Sequence, residues 1–136
     1  MTDVPAAPLV ATDRLDETRA FYRWLGFKVV QAGPDTVELA WPDDLNRRIA
    51  FRQAAIVATP TVSLRLEVAD VEGQYRRIGA VHTLAAKLRD DGPGRRVFAV
   101  ADPNGVLLEF AGPAKKSAQP PPAARAVIYP MVMSAG

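Results

Sequence analysis

Thr61-Val62-Ser63-Leu64-Arg65-Leu66-Glu67-Val68-Ala69-Asp70-Val71-Glu72-Gly73-Gln74-Tyr75-Arg76-Arg77-Ile78-Gly79 decides the architecture, because its hydrophobic period changes part-way along. From Thr61 to Val68 the apolar Val62, Leu64, Leu66 and Val68 share one side while Ser63, Arg65 and Glu67 share the other. That alternation belongs to a strand with one buried and one wetter face. Asp70 then stands where an N-cap is wanted, and Val71, Tyr75 and Ile78 fall on one helical face before Gly79 closes the run. Three short strands follow, 81–86, 96–101 and 106–111, separated by the turns Asp91-Gly92-Pro93-Gly94 and Asp102-Pro103-Asn104-Gly105.

The same order lies upstream. Leu9 to Thr12 is a short apolar run, Asp13 is the candidate N-cap, and Asp16 and Glu17 sit in the first turn, where the helix dipole favours acids. Thr18, Phe21, Tyr22 and Leu25 recur at helical spacing and Gly26 supplies the left-handed ending, which predicts a helix from Leu15 to Leu25. Strands are expected at Phe27 to Gln31, at Thr36 to Trp41 after Gly33-Pro34-Asp35, and at Arg47 to Gln53 after Pro42-Asp43-Asp44. Strand, helix and three strands therefore occur twice, with Gly26 and Gly79 53 residues apart and Phe51 and Phe110 59 apart, a difference that turns can absorb. Neither copy can bury its apolar face alone, so the two must pack together in one chain or across a dimer. The fold class is α+β. One two-module βαβββ domain spans 1–112, with module one at about 7–56 and module two at about 60–112.

Residues 113–136 differ in character: five of the twelve prolines lie in the last 25 residues, and Ala114 to Ala124 is a basic, Pro-rich linker. It leads into the apolar segment Ala126 to Met133, which can stay a free tail or dock on the domain or on a partner subunit.

At 136 residues, with 49% hydrophobic and 24% charged residues, the chain can bury about two thirds of its unfolded surface without disulfide or metal staples. The absence of Cys excludes disulfides, iron–sulfur sites and thiol nucleophiles, and a single His leaves little metal chemistry. Net charge is +2 with the basic residues scattered, so nucleic acid is not indicated. The start Met1-Thr2-Asp3-Val4-Pro5 lacks a basic n-region, and no apolar stretch approaches a membrane span, so the expectation is a cytoplasmic protein with no membrane partner.

Three passages resemble the vicinal oxygen chelate superfamily, which includes glyoxalases, bleomycin-resistance proteins and extradiol dioxygenases. They are Arg14-Leu15-Asp16-Glu17-Thr18-Arg19-Ala20-Phe21-Tyr22-Arg23-Trp24-Leu25-Gly26-Phe27, Glu67-Val68-Ala69-Asp70-Val71, and the hairpin Asp102-Pro103-Asn104-Gly105-Val106-Leu107-Leu108-Glu109-Phe110, the most specific of the three. The resemblance covers about 7–112. It implies paired modules forming a curled mixed sheet around a central groove, helices outside, a homodimer, and a divalent metal held by the first and last strands of each module. Those ligand positions fall on Ala7, Ala50, Ser63 and Glu109, of which only Glu109 offers a metal-binding carboxylate. The expectation is therefore no metal and no cofactor, and no chelate catalysis of the family's kind.

Strand alternation puts Arg65 and Glu67 beside Ser63, Leu107 beside Glu109, and Arg48 and Arg52 on either side of Ala50. Guanidinium groups there could grip an anionic group of a small ligand; equally, Arg65, Glu67, Arg52 and Glu109 could neutralise one another across strands. Trp24, Trp41, Phe51, Phe98 and Tyr129 are the aromatics expected to border a cavity, with Trp41 at its rim, while Phe21, Tyr22, Tyr75 and Phe110 sit at core phase. His82 falls in the strand after the second helix, away from the ligand positions, and Asp90-Asp91 and Arg95-Arg96 read as a solvated loop.

The leading reading is a metal-free small-molecule binding protein that sequesters an aromatic, anionic or neutral ligand, with Arg48, Arg52, Ser63, Arg65, Glu67, Leu107, Glu109 and Trp41 as binding residues. Two alternatives stand beside it. One is a metal-independent isomerase or lyase with Glu109 as general base; the other is a non-catalytic dimer whose groove is filled by its own C-terminal segment.

Overall fold

A computed structural model describes residues 7–115. In chain order the elements are β1 Leu9–Thr12, α1 Leu15–Leu25, β2 Lys28–Ala32, β3 Thr36–Trp41, β4 Asp44–Gln53, β5 Ser63–Glu67, α2 Val71–Gly79, β6 Leu84–Asp90, β7 Arg95–Ala101 and β8 Leu107–Pro113. They form two four-stranded mixed sheets of the same topology, β1-β4-β3-β2 and β5-β8-β7-β6. In each the short first strand runs parallel to the last, and the other pairings are antiparallel hairpins. The registers correspond: Leu9 lies opposite Ala50 in one sheet as Arg65 lies opposite Glu109 in the other.

α1 buries the face its spacing predicts, Thr18, Phe21, Tyr22 and Leu25, and ends at Gly26, whose φ of 123° is open to glycine and costly for other residues. Its beginning differs from expectation. Asp13 is not the cap; Arg14 holds that position without a side-chain bond, because Thr12 Oγ1 accepts from the Arg14 amide at 3.0 Å and Gln53 Oε1 from the Leu15 amide at 3.2 Å. Asp70 does cap α2, accepting from the Gly73 amide at 3.0 Å.

Several boundaries shift for local reasons. β4 starts at Asp44 rather than Arg47, since Asp44 already pairs with Trp41 across a two-residue turn. Gly79 lies inside α2, and the chain leaves the helix through a turn in which the Val81 and His82 amides both donate to the Ile78 carbonyl. β6 therefore begins at Leu84, which puts His82 in the turn and not in the strand. β8 runs through Pro113, opposite Arg95. The apolar segment 126–133, Tyr129 included, and most of the Pro-rich linker lie outside the described residues.

The helix-bearing sides of both sheets feed one continuous apolar cluster that includes Tyr22, Leu25, Phe27, Leu39, Trp41 and Phe51 from the first half and Leu66, Ile78, Phe98, Leu108 and Phe110 from the second. Each such side chain contributes about 1.5–3 kcal/mol by leaving water. A polar seam crosses the same junction. Tyr22 Oη donates to Asp102 Oδ2 at 2.8 Å, Thr12 Oγ1 donates to Asn104 Oδ1 at 2.7 Å, and Asn104 Nδ2 donates to Thr18 Oγ1 at 3.0 Å. Asp102 Oδ1 accepts from the amides of Asn104 and Val106, so the β7–β8 turn is fixed by the carboxylate that receives Tyr22. Arg77 adds bonds to the Trp24 and Leu25 carbonyls, tying α2 to the end of α1.

Candidate functional site

Because the helix-bearing sides share one core, the opposite face of each sheet looks away from it. The expected binding residues divide accordingly. Arg48, Ala50 and Arg52 lie on the open face of module one with Leu9 and Glu38; Ser63, Arg65, Glu67, Leu107 and Glu109 lie on the open face of module two. No hydrogen bond or ion pair joins the two sets among the described residues. The sequence repeat defines each unit, but it does not say how the units dock, and the single surface expected from it is two faces in one chain.

On the module-two face, Glu109 Oε1 accepts from Arg65 Nε at 3.2 Å, and Arg89 Nη2 stands 3.8 Å from Oε2. Arg65 Nη1 also reaches Asp91 at 2.9 Å. Glu109 first and Asp91 second raise the Arg65 pKa and hold the guanidinium charged. Arg95 binds both oxygens of Glu67 at 2.6 and 2.8 Å. Cross-strand neutralisation is thus realised for Arg65 with Glu109, whereas Glu67 is answered by Arg95. Arg89, Asp91 and Arg95 were not legible as part of this face, since β6 and β7 extend to Asp90 and back to Arg95, with only 91–94 as the turn, where the sequence of charges reads as a solvated loop.

The module-one face is less satisfied. Arg48 Nη1 donates to Glu38 at 2.9 Å, but Arg52 makes no ion pair among the described residues. Leu9, 58% exposed, with Gln31, Thr36, Glu38 and Ala50 lines a cleft of about 260 Å³ there.

The aromatic expectations need correction. Trp41 is 5% exposed and packs between Phe27 and Phe110, at centroid distances of 5.2 and 6.0 Å, so it is a core residue and not a rim. Phe51 and Phe98 are fully buried, Phe98 stacked on Phe110 at 5.2 Å. The alternation of β3, β4 and β7 points these rings to the helix side. Of the aromatics expected to border a cavity, only Trp24 among the described residues is exposed, and it lies on α1.

Equivalent registers place Ala50 and Glu109 at matching positions on the last strands, with Ala7 and Ser63 two residues before Leu9 and Arg65. Ala7 and Ala50 have no donor, Ser63 offers a neutral hydroxyl, and the oxygens of Glu109 already face Arg65 and Arg89. Among the described residues no three His, Cys, Asp or Glu side chains come together. These side chains do not fit the divalent cation that the resemblance implies, and no chemical step is derived through one.

The model of the Glyoxalase/Bleomycin resistance protein/Dioxygenase superfamily matches residues 6–110. The chain belongs to that superfamily. Among solved structures it is similar to a bleomycin resistance determinant encoded on the transposon Tn5, with 24% identity, TM-score 0.60, and coverage of 82% of this chain and 98% of that one. A bleomycin-binding protein in complex with bleomycin aligns with 23% identity, TM-score 0.57 and the same coverages. A protein of unknown function from Agrobacterium tumefaciens str. C58 aligns with 21% identity and TM-score 0.64, covering 82% of this chain and 94% of that one. At these identities the likeness is one of fold. No curated protein matches the chain. No helix among the described residues is long and apolar enough to cross a membrane.

Proposed function

We propose that this superfamily member is a cytoplasmic binding protein that sequesters a small aromatic ligand, anionic or neutral, without a metal and without turnover. The observation that carries this reading is the module-one face, where Arg52, two residues along β4 from Ala50, stands without a carboxylate partner among the described residues, next to a cleft lined by the apolar Leu9 and Ala50 together with Gln31, Thr36 and Glu38, the last already paired with Arg48. A planar guanidinium can pair with a carboxylate or phenolate and stack on a ring, which supplies an aromatic contact that no exposed ring among the described residues offers on either sheet face. The cleft of about 260 Å³ is slightly smaller than a typical small-molecule site, so a second copy of the chain completes the groove by bringing another open face over it. The bleomycin-binding neighbour supports small-molecule binding as the class of activity. The net charge of +2 favours an anion over a cationic glycopeptide.

The test is isothermal titration of the full chain with naphthoate, benzoate and bleomycin, alongside metal analysis and sedimentation. Aromatic acids are expected to bind, and Arg52→Ala to weaken them by about tenfold, the loss of one charge-assisted bond. Silence across the acids, an unchanged affinity in Arg52→Ala, or a stoichiometric metal bound by side chains of both modules would overturn the reading.

A further inference from the structure

On the helix side of the molecule, away from both open sheet faces, α1, the turn after α2 and the β7–β8 hairpin enclose a cleft of about 430 Å³. That volume lies within the range of small-molecule sites. Its aromatic wall is built from three rings. Phe21 and His82 meet edge to face at 4.8 Å, and Trp24 and His82 at 4.9 Å. Phe21 is nearly buried and forms the floor, whereas Trp24 is 38% and Val81 60% exposed. Arg77 stands 4.5 Å from the Trp24 ring centre and donates to the Trp24 and Leu25 carbonyls, which holds the indole in place.

The acids lining this cleft are Glu17, at its edge one helical turn before Phe21, and Asp102, on the hairpin wall. Glu17 makes no ion pair among the described residues. Asp102 is bound by the Tyr22 hydroxyl and by the amides of Asn104 and Val106, none of which cancels its charge. Aromatic faces attract cations through the ring quadrupole; Arg77 already covers one face of Trp24, so the preference for a further cation rests chiefly on Phe21 and on the two nearby carboxylates, which repel an anion of the same shape.

We propose that this cleft is a second binding site, for an organic cation with an aromatic body, such as an arylalkyl ammonium. The body rests against Phe21, Trp24 and His82, and the ammonium faces Glu17. The site differs from the open sheet faces in position and in the sign of the charge it selects, and does not depend on what those faces bind. Its walls come from both modules, so an occupant also braces their docking.

The test is titration of the full chain, followed by amide and indole NMR shifts and by thermal unfolding, with benzyltrimethylammonium as cation and phenylacetate as anion of similar size. Saturable shifts are expected at Trp24, His82 and 101–103 with the cation, with a dissociation constant below about 1 mM and a rise in Tm. Glu17→Gln, on an exposed helix position, is expected to weaken the cation by about threefold, the effect of one exposed charge contact. Trp24→Ala is expected to abolish the shifts. Equal binding of phenylacetate, an unchanged affinity in Glu17→Gln, shifts confined to the sheet faces, or no saturation at all would each overturn the proposal.

Discussion

Tyr22→Phe tests whether the polar seam sets the docking of the two modules. Phenylalanine keeps the ring that packs against Phe21, Phe27 and Phe51 at 5.6, 5.0 and 5.2 Å, so the change removes one oxygen and little else. What it strands is Asp102, 6% exposed, whose Oδ2 loses its 2.8 Å donor while Oδ1 keeps two backbone amides. A hydrogen bond to a charged group is worth about 1.5–3 kcal/mol, and a carboxylate left short of donors sits in the upper part of that range. For a domain of this size that corresponds to a fall in Tm of roughly 6–10 °C. The pH dependence gives a second readout. Burial first, then the charge of Asp102, then the hydrogen bond to it, raise the Tyr22 pKa well above the ordinary 10.0. The folded state therefore holds this proton more tightly than the unfolded state. Its contribution is complete below about pH 10 and declines as pH rises through the native value. Wild type should lose stability above about pH 10 more steeply than Tyr22→Phe. Urea unfolding of both proteins at pH 7 and across the alkaline range measures both effects. A cost below about 0.5 kcal/mol, with parallel alkaline limbs, would refute the reasoning.

Gly112→Ala should destabilise the protein severely, because the new Cβ runs into the Val68 carbonyl oxygen where β8 passes the end of β5, and backbone cannot give way as a side chain can; soluble yield and urea unfolding read it. Glu109→Gln should change stability by less than about 1 kcal/mol, since Glu109 is partly exposed and Arg65 keeps its bond to Asp91. A larger loss in chemical denaturation would show that the carboxylate anchors the face rather than balancing it.

Both helices and β5 were readable from an unbroken period, whereas the other strands were short runs marked off by turn residues, and β6, which lacks a clean period, was expected at 81–86 where the structure has Leu84–Asp90. α1 and β3 match to the residue, and the Asp70 cap and Gly26 ending follow from local chemistry. What failed depended on distant partners. Asp13 looks like a cap until Thr12 and Gln53 take the first amides from elsewhere in the fold. Thr12 and Asn104 lie 92 residues apart, and nothing local couples them. The available signal was a buried tyrosine needing an acceptor and a turn rich in side-chain oxygens, which narrows the choice without naming the pair. Trp41 was misplaced because a residue before Pro42 reads as an element's end, whereas its phase on β3, shared with Leu39 and Val37, sends it to the core. The carboxylate–guanidinium pair at Arg65 and Glu109 was legible from register alone.

The two sheets share a topology and a register, so their differences can be compared position by position. On the core side Val10 and Leu66, Ile49 and Leu108, and Phe51 and Phe110 are apolar equivalents, while Thr12, in the polar seam, stands where module two has Val68. On the open side Leu9 stands where module two has Arg65, Ala50 where it has Glu109, and Arg52 where it has Ala111. Module two thus meets its charges within its own sheet, and a ligand seeking Arg65 must compete with carboxylates already at 2.9 and 3.2 Å. Breaking such a pair returns much of what the new contact supplies. Module one exposes Arg52, which has no ion-pair partner among the described residues, beside the apolar Leu9 and Ala50, and its carboxylate Glu38 is already held by Arg48, so an anionic ligand gains a charge-assisted bond at Arg52 without breaking one. On the proposed reading affinity resides with module one, and substitutions at Arg52 and Leu9 should outweigh those at Arg65 and Glu109. The opposite ranking in titration would assign recognition to the charged face instead.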